Sequence, residues 1–176
     1  MDRMSSADIL QYYWPDWHIV RQIGHGSFGD VFECDKTDGV RTSFFDPLQQ
    51  DADSIAVKRS AIKVISIPQH ESQIAQLHAE GIDEDSTAAY FEKIAQDCVR
   101  EIKTMESVKS CPNVVYIEDF KVARKPDGIG WIILIRMELL TSLADYLETH
   151  KMGEKDILKL VTTLMTNTKG ARPDRA

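Results

Sequence analysis

No apolar run in this 176-residue chain is longer than the five residues Trp131-Ile132-Ile133-Leu134-Ile135, far short of the roughly 20 that a bilayer-spanning helix needs. The amino terminus, Met1-Asp2-Arg3-Met4-Ser5, leads into no apolar stretch of signal-peptide length. Cysteine is scarce: Cys34, Cys98 and Cys111 are odd in number and match no paired metal-ligand spacing. Neither a disulfide framework nor a metal site is therefore expected, and a reducing cytoplasmic compartment is. Basic clusters are also missing, so nothing offsets the net charge of -7, which argues against nucleic acid or an anionic membrane as the partner. The chain holds no internal repeat and no low-complexity segment.

What is present suits one packed domain, with 43% apolar residues. Trp17 to Val20 and Val31 to Cys34 are β-branched and aromatic and flank a cluster of glycines, which predicts a hairpin closed by a flexible turn. Turn formers dominate Asp35 to Ser54, a long connection. Ile55 to Ile67 reads as a strand that Pro68 ends. From Asp83 to Ser110 apolar residues recur at spacings of three and four, predicting the longest helix, closed by Cys111-Pro112. Asn113 to Val122 and Gly130 to Met137 read as two antiparallel strands joined by Lys125-Pro126-Asp127-Gly128. The expectation is five strands with one long helix inserted after the third. Leu143 to His150 and Glu154 to Met165 follow as short helices, and a tail from Thr166 to Ala176 is expected to be disordered.

The glycines fall in Ile23-Gly24-His25-Gly26-Ser27-Phe28-Gly29-Asp30-Val31. A strand, rather than a helix, follows Gly29, so dinucleotide binding at a helix terminus is disfavoured and a strand-turn-strand cover over phosphates is favoured. Backbone amides approach phosphate oxygens closely only where side chains are missing, as at Gly24, Gly26 and Gly29. Phe28, beside Ser27 at the tip, would shield those phosphates or pack on the neighbouring strand. Lys58 and Lys63 compete for a phosphate role, and their odd separation puts them on opposite faces of a regular strand. Lys63 lies deeper in the apolar run, and Ala61 shares its face. With Val31 and Ile23, Ala61 would offer apolar surface to a ring, a role compatible with plain core packing. A buried ammonium requires a carboxylate. Of Glu92, Glu101 and Glu106 on the long helix, Glu101 lies on or beside the apolar face, whereas Glu106 neighbours Lys103 and Lys109.

Taken in order and on these elements, the matches from Trp17 to His150 resemble the amino-terminal lobe of a eukaryotic-type serine/threonine protein kinase. Gly24, Gly26, Gly29 and Val31 match its glycine loop, Ala61 and Lys63 its third-strand lysine motif, and Glu101 in Arg100-Glu101-Ile102 the glutamate of its C helix. The resemblance implies an α+β fold: a five-stranded antiparallel sheet plus C helix, followed by the first helices of an incomplete helical carboxyl lobe. Residues 1–16 would be an extension, 17–140 the lobe and hinge, 141–165 the start of the second lobe, and 166–176 the tail. It also implies ATP as the ligand, Met137 as gatekeeper, and hydrogen bonds to adenine from the Glu138 carbonyl and the Leu140 amide.

The departures carry equal weight. No His-Arg-Asp and no Asp-Phe-Gly occurs, so the family's catalytic base and magnesium ligands are not encoded, and Lys63 with Glu101 remains as a supporting ion pair only. Magnesium would join ATP in a complete kinase, and the chain alone is expected to be catalytically incompetent. Three readings stay open: a truncated serine/threonine kinase whose full-length form phosphorylates proteins, a stand-alone kinase-like module that docks a regulatory protein partner, and a small α+β domain whose glycines only make a turn.

Overall fold

The computed structural model describes residues 4–26, 29–41, 55–109, 111, 114–126 and 128–170. Residues 1–3 of the expected extension, Ser27 and Phe28, residues 42–54 of the expected connection, Ser110 at the end of the expected helix and Pro112 that closes it, Asn113 at the start of the expected strand, Asp127 of the expected turn, and 171–176 of the expected tail lie outside them. Two compact units divide the chain, Met1–Leu139 and Leu140–Ala176. Among the described residues no helix is long and apolar enough to cross a membrane.

The first unit is an α+β fold built on a five-stranded antiparallel sheet. Its strands are β1 (His18–Gly26), β2 (Gly29–Arg41), β3 (Ile55–Ile67), β4 (Ile117–Arg124) and β5 (Trp131–Met137), in the order β1-β2-β3-β5-β4. β3 takes the centre because its sequence is apolar on both faces, the pattern of a strand covered from two sides. Side chains opposite one another in a ladder share a face. Val31, Lys63 and Ile135 form one such row, and Glu33, Ala61 and Met137 the next.

Each face carries its own core. On one, Ile62 and Val64 pack with Phe32, Leu134 and Trp17 beneath α1 (Ser6–Tyr13), which contributes Ile9 and the fully buried Leu10. On the other, α3 (Glu84–Ser107) lays Phe91, Ala95 and Ile102 over Ile67, Ile133 and Ile135. The side chain of Asp83 caps α3 by accepting from the Ser86 amide at 2.8 Å, and Glu84 and Asp85 in the first turn favour the positive end of the helix dipole.

Several expectations are corrected. Two helices, not one, follow β3: α2 (Glu71–Ala79) precedes α3, and it escapes a periodicity reading because it buries no residue fully. The 1–16 extension contains α1, whose eight residues are too few for a clear helical period. β2 continues to Arg41 through residues that read as turn formers, because β3 pairs with it as far as Arg41↔Ile55. α3 stops at Ser107, and β4 spans Ile117–Arg124 rather than starting at Asn113. In the second unit, α4 (Leu143–Thr149) is capped by Ser142, whose hydroxyl accepts from the Asp145 amide at 3.1 Å. α5 (Glu154–Gly170) runs five residues beyond Met165, into the segment expected to be disordered, since no proline or glycine interrupts it before Gly170.

Candidate functional site

Parity along β3 decides which lysine enters which environment. Lys58 stands on the α1 face, where its ammonium meets the Glu118 carboxylate at 3.0 Å. Glu118 also accepts from the Ser60 hydroxyl at 3.2 Å and lies 3.5 Å from Arg136, whose guanidinium sits 4.9 Å from the centre of the Trp17 ring. That polar cluster engages Lys58 away from α3. Lys63 stands on the opposite face, in one row with Val31 and Ile135.

A cleft of about 590 Å³ opens between β3 and α3 on this face. Lys63 and Glu101 both line it, together with Cys98, Phe91, Met105 and Ile65. Glu101 is largely solvent-exposed, so it stands at the rim of the cleft rather than in its floor. Cys98, one turn before it, reports the electrostatics. Burial pushes its thiol up, the Glu101 and Asp97 carboxylates push it further, and the Lys63 ammonium pulls it down. The structure thus brings Lys63 and Glu101 to one cleft from separate elements. Glu92 is directed elsewhere, 3.5 Å from Arg124.

The glycine hairpin is held in register by Gly24↔Val31 and Gly26↔Gly29. Gly29 has φ +105°, and a Cβ there would fall 2.1 Å from the Val64 carbonyl oxygen, so the close approach of β3 demands glycine. Gly26 is different: a Cβ there would meet nothing within 4 Å. A Cβ at Gly24 would make an ordinary 3.4 Å contact with Val31. Internal packing therefore explains Gly29 and leaves Gly26 to some other cause. No family model matches this chain, and no curated protein does either.

Of the remaining expected residues, Ala61 is buried in a row with Met137, while Ile23 sits half-exposed at a register shift in β1. The backbone amide of Glu138 donates to the Tyr116 carbonyl at 3.1 Å, and its carboxylate accepts from the Tyr116 amide at 2.8 Å. Leu140 is exposed and belongs to the second unit, so the expected hinge residues divide between two units. Sequence reasoning missed the residues that hold the hairpin from behind: Ser6, Gln22, His25 and Asp30. The signal was there in Ser5-Ser6-Ala7-Asp8, a capping sequence ahead of Ile9-Leu10.

Proposed function

We propose that this chain is the ATP-binding portion of a serine/threonine protein kinase, with phosphoryl transfer to protein hydroxyls belonging to the full-length enzyme. The observation that carries it is the meeting of Lys63 and Glu101 at one cleft, on the sheet face that Lys63 shares with Ala61, Val31 and Met137. A lysine that shares a cleft with a carboxylate suits the role of a phosphate ligand. Ala61 and Met137 in the next row, with Val31 beside Lys63, offer apolar surface to an adenine ring. Gly26 supports the same reading, because the space a Cβ would fill is open to a phosphate approaching the backbone.

In this reading Gly24, Gly26 and Gly29 cover the phosphates, Ile23, Val31 and Ala61 bracket adenine, and the Glu138 carbonyl accepts a hydrogen bond from it. The chain contains no His-Arg-Asp and no Asp-Phe-Gly. Binding is therefore assigned to these residues, while the base and the magnesium carboxylates are assigned to the complete enzyme.

Calorimetric titration with ATP, with and without magnesium, tests the assignment. Saturable binding is expected, weakened about tenfold or more by Lys63→Ala, the scale of a lost hydrogen bond to a charged group, and weakened also by Gly26→Val. A folded chain that takes up no ATP, or one whose affinity neither substitution changes, overturns it.

A further inference from the structure

We propose that α1 is a latch on the glycine-rich hairpin, with the Ser6 hydroxyl holding Asp30 from the sheet face opposite Lys63. The proposal rests on the reading of that hairpin as a phosphate cover, and it concerns what fixes the cover in place.

α1 is itself firmly seated. Ile9 and Leu10 enter the core beside Trp17, and the Gln11 side-chain amide donates to the Trp17 carbonyl at 2.6 Å. Its first turn then reaches the hairpin, where the Ser6 hydroxyl donates to Asp30 Oδ2. The same carboxylate takes Gln22 Nε2 at 2.9 Å and His25 Nδ1 at 2.5 Å on Oδ1. One acceptor thus gathers α1, the middle of β1, and the residue next to Gly26. Burial pushes the Asp30 carboxyl up, but the bonds from Ser6, His25 and Gln22 outweigh it and hold the group below its usual range. Asp30 therefore remains a pure acceptor near neutral pH, able to take all three donors at once.

Packing does little to hold the Gly26 end of this hairpin. Nothing stands within 4 Å of where a Gly26 Cβ would be. Behind the hairpin lies a second cleft of about 610 Å³, bounded by Ser5 and Ser6 of the α1 start, by His25, Gly26 and Asp30, and by Gln69 and His70 ahead of α2. That space leaves the Gly26 end of the hairpin room to shift once the Ser6 bond is lost. Ser6 is a positioning residue: it stands on the face away from Lys63 and acts through Asp30.

Hydrogen exchange on the nucleotide-free full chain tests the latch independently of ATP binding. Ser6→Ala is expected to speed exchange of the amides in Gly24–Gly26 and Gly29–Val31 about tenfold or more, with Ile132–Ile135 unchanged. Ser6→Thr, which keeps the donor, should restore the slow rate. Should Ser6→Ala compromise folding, Asp30→Asn should give the same local rise. Unchanged hairpin exchange in both Ser6→Ala and Asp30→Asn, or a rise spread evenly over all five strands, overturns the latch. A local rise in a protein that takes up no ATP would sustain the latch and sink the nucleotide assignment, so the two failures are distinguishable.

Discussion

Gly26 and Gly29 lie in one hairpin for opposite physical reasons. At Gly29 the backbone is left-handed and the Val64 carbonyl oxygen occupies the position of a Cβ, whereas at Gly26 the corresponding space is open. Gly29→Ala should cost at least about 1–3 kcal/mol from backbone strain alone, and Gly26→Ala should stay within about 0.5 kcal/mol of the parent. Urea denaturation of the two variants checks this; equal losses would mean that both glycines serve the fold. The sequence reading singled out both residues but could not separate them, because the Val64 carbonyl comes from a strand far along the chain. That Lys58 and Lys63 stand on opposite faces was legible, since parity along a strand needs only local information. What holds Lys58, the Glu118 carboxylate on β4, is a tertiary fact and left no local trace.

Among the elements, β3 and α3 were readable because each has length and pattern in its favour: thirteen residues ended by Pro68 in one, and a sustained helical period behind the Asp83 cap in the other. α1 was not, because eight residues give barely two turns and most of its stabilisation comes from what Leu10 and Ile9 bury. Leu10 is fully buried, so Leu10→Ala should destabilise the first unit by about 2–5 kcal/mol through lost burial and a residual cavity. Thermal unfolding would show this, and a near-neutral outcome would mean that α1 is an appendage rather than a wall of the core. α2 exposes most of its surface, and with so little amphipathic contrast only the tertiary context identifies it. The extent of β2 was misjudged for a related reason: Asp38 and Gly39 carry strong local turn preferences, yet the ladder with β3 runs on to Arg41.

At the scale of the whole molecule, the sheet separates two cores that share the central strand. Val64 and Ile65, adjacent in sequence, serve different ones. A one-residue slip of β3 would exchange the two sets and bring the Lys63 ammonium under α1, so the register is specified from both sides at once. The fold class and strand count were legible from this patterning, because hydrophobic periodicity is a local signal that survives any connection length.

The strand order also dictates a sequence of events in time. β1, β2 and β3 form a meander, and β4 and β5 form a hairpin, both from neighbours in sequence, whereas the seam between β3 and β5 joins segments separated by α2, α3 and β4. Loop-closure entropy makes that seam the slow contact. In pulsed hydrogen exchange during refolding, amides bonded within the meander should gain protection before those bonded across the seam; simultaneous protection would show that the sheet condenses in one step. Until the seam closes, β3 lacks β5 as its neighbour, so a nascent chain halted before β5 would present an unpaired strand edge to its neighbours.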